Sequence, residues 1–167
     1  VFSQAGHLIA SAYEEYDVQR PEPGRAELDS VQVWEQIKRT IRQAVSGAAG
    51  DPVEALAVSS LGEAVVPVTL DRQVLGPSIL NFDVRGAEYL DRLRTILADE
   101  RLYRINGNTL GNHYGLTKLL WIKEHQPELY RRADKFLLWE SFVSFMLGAE
   151  PVVDYSLANR TCRFDVD

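Results

Sequence analysis

Tyr114-Gly115-Leu116-Thr117-Lys118-Leu119-Leu120-Trp121-Ile122-Lys123 opens the stretch whose reading decides the fold. Pro127-Glu128-Leu129-Tyr130 and Ala133-Asp134-Lys135-Phe136-Leu137-Leu138 follow, and the stretch closes on Val153-Asp154-Tyr155-Ser156-Leu157-Ala158-Asn159-Arg160-Thr161-Cys162-Arg163-Phe164-Asp165. Leu116, Leu119 and Leu120 recur at helical spacing, which predicts a helix over 116–124 with those residues buried. A short helix over 127–133, a short strand over 135–138 and a helix over 140–147 burying Phe142, Val143 and Met146 come next.

Working back toward the amino end, 86–98 reads as a helix that buries Leu90, Leu93 and Leu97. The segments 55–59 and 64–70 read as strands, with 74–80 a further short strand or loop. Trp34, Ile37, Ile41 and Val45 share one helical face after a cap at Asp29 or Ser30, and the Gly47–Pro52 stretch ends that helix. Arg20-Pro21-Glu22-Pro23-Gly24-Arg25 is a loop. Residues 1–13 read as two strands around a tight turn at Gln4-Ala5-Gly6. Strands and a helix followed by a helical block give an α/β domain. No internal repeat is present.

In order and spacing, the segments from Tyr114 onward resemble the first domain of the FGGY family of carbohydrate kinases. The resemblance extends more weakly over 1–85. It implies a ribonuclease H-like domain of the actin and hexokinase superfamily, with a mixed sheet flanked by helices. Residues 1–167 are then expected to be a single partial domain, the sugar-binding amino-terminal part of such a kinase. The expected domain is truncated at both ends and lacks its first strand with the D-x-G-T-x-x-K phosphate motif.

Four segments carry candidate chemistry. Ser59-Ser60-Leu61-Gly62-Glu63-Ala64 follows a buried strand, and open α/β sheets bind ligands at the carboxyl ends of strands. The resemblance places Gly62 and Glu63 at the sugar, where the carboxylate can accept from vicinal hydroxyls. Alternatively, Glu63 caps the next element or faces water. Asn81-Phe82-Asp83-Val84-Arg85 resembles the family's W-x-D-x-R segment, with Asn81 in place of the aromatic. Asp83 either binds a hydroxyl or holds Arg85. His113, in Asn112-His113-Tyr114, borders the sugar by resemblance and can donate to a hydroxyl. In Asp154-Tyr155-Ser156-Leu157-Ala158-Asn159-Arg160-Thr161, which resembles T-D-Y-S-x-A-S-R-T, Asp154 and Arg160 are expected to fix a strand and turn rather than to do chemistry. Trp34, Trp121 and Trp139 read as packing residues.

The 167 residues suffice for one domain with a real core, and the composition, 46% hydrophobic and 25% charged, is that of a globular protein. The net charge of −6 and the scatter of the arginines argue against a nucleic-acid partner. No apolar run reaches the roughly 20 residues that span a bilayer. The single cysteine, Cys162, forms no internal disulfide and suits a cytoplasmic setting. The three histidines have no metal-ligand spacing. Neither a G-x-S-x-G setting nor a paired histidine supports a serine or cysteine hydrolase.

The expected function is that of the sugar-binding part of an ATP-dependent carbohydrate kinase acting on a sugar or polyol. ATP and Mg2+ are held mainly by parts outside this chain, the catalytic aspartate lies outside it, and a homodimer is an allowed assembly. The isolated segment is expected to be inactive. The competing reading is a non-catalytic sugar-binding or regulatory module of the same fold.

Overall fold

The computed structural model describes residues 1–48 and 50–165. Its centre is a two-stranded antiparallel sheet of β2 (Val65–Val68) and β4 (Lys135–Leu138), with Val65 opposite Leu138 and Val68 opposite Lys135. All four β2 residues are buried. Alternation along a strand sends successive side chains to opposite faces, and here it divides the core in two. Val66 and Val68 pack with Trp34, Leu137, Trp139 and Phe142, whereas Val65 packs with Ile79, Leu119, Trp121, Ile122 and Leu138. The sheet therefore lies between a layer built on α1 (Ser30–Ser46) and α6 (Trp139–Met146) and a layer built on α4 (Gly115–His125).

A second two-stranded sheet pairs β1 (Glu27–Leu28) with β3 (Ser78–Ile79), also antiparallel. The Asp29 carboxylate starts α1 by accepting from the amides of Val31 and Gln32. Helix α2 (Leu90–Ile96) follows a 3-10 turn at Ala87–Tyr89, and α3 (Asp99–Asn106) follows α2. Helix α5 (Pro127–Arg132) leads into β4, and α7 (Tyr155–Asn159) lies near the carboxyl end.

The helices over 116–124, 127–133 and 140–147 and the strand over 135–138 agree with the sequence reading to within a residue or two. The first residues also pair antiparallel, Phe2 with Leu8, around a turn in which Gly6 takes a φ of 80°. Four expectations are corrected. Residues 55–59 form no strand, and Leu56 is half exposed, because no described segment offers them a backbone ladder. Val45 is exposed, since the last turn of α1 runs past the core that Val33 and Trp34 reach. The helix expected over 86–98 opens as a 3-10 turn at Ala87–Tyr89 and is α-helical only over Leu90–Ile96, and Leu90, Leu93 and Leu97 are only half-buried. The turn expected after Asp154 is helix α7, because the Asp154 carboxylate accepts from the Leu157 amide and caps it. The three tryptophans are buried.

Candidate functional site

The amino-terminal turn of α4 gathers the loops that carry the candidate residues. Lys118, one turn into α4, is 2% exposed. Its Nζ donates to the carbonyl of Asp83 at 2.6 Å and to that of Arg85 at 2.7 Å. Asn112 Nδ2 donates to the Asp83 carbonyl at 3.0 Å. Gly86 makes this docking possible: it has a φ of 89°, and a Cβ there would lie 2.6 Å from the Thr117 carbonyl oxygen. On the other side of the turn, a Cβ on Gly115 would lie 3.2 Å from the Glu63 carbonyl oxygen, so α4 also abuts the 59–64 loop.

Of the two roles open to Asp83, the structure realises the second, holding Arg85. Its side chain is 1% exposed, and its oxygens accept from the Ala26 amide at 2.6 Å, the Arg85 amide at 2.8 Å, Arg85 Nε at 2.9 Å and Arg85 Nη2 at 2.6 Å. Four donors occupy the acceptor capacity of a carboxylate. Burial alone would push the Asp83 carboxyl up; the bonds from Arg85 and the two amides outweigh it and hold it below the usual range. Arg85 is completed by Glu27, 2.6 Å away, and by the face of Trp121. Burial pulls the Lys118 ammonium down to about 8, against partial support from the Asp83 charge.

Glu63 is differently disposed. It is 7% exposed and has a left-handed φ of 63°, uncommon for a residue other than glycine. Its Oε1 accepts from Arg160 Nε at 2.5 Å and also pairs with Arg160 Nη2, while Oε2 accepts no hydrogen bond from the described residues. Gly62 lies under this pair: a Cβ there would stand 3.6 Å from Arg160 Cγ and 3.3 Å from Leu157 Cδ2. His113 is exposed, with its ring against Tyr114 at 4.0 Å between centroids. Asn81 is half-buried in a turn, and its side chain makes no hydrogen bond to the described residues.

Glu63, Asp83 and His113 thus converge on the loops at the start of α4. Sequence reasoning missed the anchors, Lys118 and Asn112, and the pairing of Arg160 with Glu63 across 97 positions. Lys118, a charged residue beside Leu116, Leu119 and Leu120 in the first half of α4, was the one local signal. A mainly apolar groove of about 500 Å³ is lined by Ser59, Ser60, Leu61 and Trp139 but by none of Glu63, Asp83 and His113. Among the described residues, no group of three or more His, Cys, Asp or Glu side chains is placed to hold a metal ion.

The profile of the FGGY family of carbohydrate kinases, N-terminal domain, matches residues 1–167. The chain belongs to this family. Among FGGY relatives, it is 28% identical over 166 residues to a xylulose kinase of Escherichia coli, covering 99% of this chain and 34% of that protein. It is 29% identical over 173 residues to an autoinducer-2 kinase of Salmonella typhimurium, covering 99% and 32%. The crystal structure of xylulose kinase from Rhodospirillum rubrum superimposes with a TM-score of 0.87 at 25% identity, over 95% of this chain and 33% of that one. Ligand-bound xylulose kinase from Lactobacillus acidophilus, at 21% identity and a TM-score of 0.86, shares the fold. The chain spans about a third of the length of these FGGY proteins.

Proposed function

We propose that this chain is the sugar-binding part of an ATP-dependent carbohydrate kinase, which transfers the γ-phosphoryl group of ATP to a hydroxyl of a ketose, polyol or sugar acid. The observation that carries the reading is the match of the whole chain to the amino-terminal domain of carbohydrate kinases, together with its superposition on a xylulose kinase. The domain is assigned to the ribonuclease H-like fold of the actin and hexokinase superfamily, with the sheet between two helical layers. A cytoplasmic location and a homodimer belong to the same reading; no helix among the described residues is long and apolar enough to cross a membrane.

Glu63 is the sugar contact in this reading. Its unengaged Oε2 accepts a hydroxyl proton donor, and the exposed His113 donates to a second oxygen. Asn81 borders the same region, Gly62 admits Arg160 beneath Glu63, and Asp83 holds the 81–86 loop against α4. These residues bind and orient the acceptor, which is the main demand of phosphoryl transfer besides charge stabilisation. ATP supplies the phosphoryl group and Mg2+ neutralises its charge when bound. In this reading both are held mainly by the rest of the parent protein, which also supplies the base that takes the hydroxyl proton.

The test is ATP-to-ADP turnover by the full-length parent against a panel of ketoses, polyols and sugar acids. Turnover dependent on one acceptor supports the kinase and names the substrate. Sugar binding without turnover by the folded parent replaces it with a non-catalytic sugar-binding module.

A further inference from the structure

The ion pair between Glu63 and Arg160 is unusual in three respects. Glu63 is held in a left-handed conformation, which is strained for a residue with a Cβ and persists only where surrounding structure enforces it. Both Arg160 contacts, from Nε and Nη2, fall on the same carboxylate oxygen, Oε1. The other oxygen, Oε2, has no hydrogen-bond partner among the described residues. A carboxylate whose pairing served stability alone would gain more from a two-oxygen fork with the guanidinium.

Arg160 is itself fixed from behind. Its guanidinium lies over the Tyr114 ring, 4.9 Å from the centroid. Tyr114 OH donates to Asn108 Oδ1, and Asn108 Nδ2 donates to both the carbonyl and the side-chain oxygen of Asn159, at 3.1 Å each. Asn159 precedes Arg160, so the circuit closes on the residue it holds. Tyr114 and Asn108 are buried. On the remaining side, Gly62 has no side chain to displace the arginine.

We infer that Arg160 is a positioning residue that clamps Glu63 by Oε1 and so presents Oε2 to a hydroxyl of the sugar. This rests on Glu63 being a sugar contact. Arg160 fixes the direction of the remaining acceptor oxygen by holding the carboxylate at Oε1. A substrate hydroxyl then meets an oriented acceptor without first reordering the side chain.

The test uses the full-length parent with the acceptor found in the turnover panel, and compares the wild type with E63Q, R160Q, R160K and the double variants E63Q/R160Q and E63Q/R160K. R160Q is expected to raise KM for the sugar about 10-fold or more while leaving KM for ATP unchanged. R160K restores the charge with a single point of contact and is expected to recover part of that loss. In the E63Q background, R160Q is expected to add less than about 2-fold, because the two side chains act as a unit. An effect of R160Q that persists in full without the Glu63 carboxylate, or that falls equally on both substrates, overturns the inference. E63Q weakened beside an unchanged R160Q overturns it for Arg160 alone, whereas an unchanged E63Q removes Glu63 from the sugar site and the inference with it. Should R160Q fail to fold, R160K alone is read: an intermediate rise in sugar KM, absent in the E63Q background, supports the inference, and wild-type kinetics overturn it.

Discussion

The guanidinium of Arg85 closes on the carboxylate of Asp83, two residues before it, with Nε 2.9 Å from Oδ1 and Nη2 2.6 Å from Oδ2. Both side chains are buried, and the backbone carbonyls of the same two residues hold the ammonium of Lys118. One short segment is thereby tied to β1 through Glu27, to α4 through Lys118 and to the Trp121 ring. The 81–86 loop is consequently a fixed wall of the candidate site rather than a mobile arm.

Replacing Asp83 with Asn should destabilise the parent protein by about 3–5 kcal/mol, the range for breaking a buried ion pair. The amide nitrogen would face donors where an acceptor is required, and Arg85 would keep only Glu27. A thermal unfolding midpoint within a degree of wild type would show that the pair is not a structural anchor.

The same carboxylate sets an acid limb. Its folded value lies below the ordinary 3.8, so the stability it contributes is fully present above that value and is lost as pH falls through the folded one. In acid unfolding followed by circular dichroism, D83N should lack this component, and the gap between the two proteins should narrow below about pH 3.8.

Lys118 acts in the opposite direction. Between about 8 and the ordinary 10.5, the unfolded lysine holds its proton and the folded one releases it, so this residue raises stability as pH increases through that window. The stability difference between the wild type and K118M should therefore grow in favour of the wild type from pH 8 to pH 10. A difference constant with pH would mean that Lys118 keeps its ordinary proton affinity. Near pH 7, K118M also leaves the Arg85 carbonyl without a donor, at a cost of about 1–3 kcal/mol.

Gly86→Ala should destabilise by about 1–3 kcal/mol. The φ of 89° disfavours any side chain, and the new Cβ would stand 2.6 Å from the backbone oxygen of Thr117, which cannot move without shifting α4. Sugar affinity should fall with it, because Glu63 and the Asp83 loop both rest on that turn. Wild-type stability and affinity in G86A would contradict the close docking.

In the parent enzyme, Glu63→Gln should lower kcat/KM for the true acceptor by roughly 10- to 150-fold, the equivalent of about 1.5–3 kcal/mol for a hydrogen bond to a charged group. Steady-state kinetics with varied sugar and saturating ATP would measure it. Unchanged kinetics would leave Glu63 with a purely structural role.

Much of the framework was legible in the sequence because it depends on local periodicity. Leu119 on α4, Phe142 and Val143 on α6, and the apolar run of β2 announce their own burial through spacing alone, whereas Leu116, Leu120 and Met146, read the same way, are only half-buried. The misreadings have a common cause. Residues 55–59 have the composition of a strand, but a strand exists only through the ladder its neighbour supplies, and none of the described segments supplies one. The 3-10 turn ahead of α2 and the capped helix after Asp154 depend on local backbone angles and a side-chain cap, which periodicity does not report.

What the sequence determined by itself was the run of elements from α4 to α6 and the family, since each is written in residue types at short spacing and in motifs such as Asp154-Tyr155-Ser156. Only the tertiary structure decided what the polar candidates do. Asp83 and Glu63 are both acids in loops, alike on paper. The first has every acceptor position filled by Ala26 and Arg85, and the second is gripped on one oxygen by Arg160, 97 residues away. An acid's role depends on which donors reach it and which lone pairs remain, and those donors arrive only when distant segments pack together.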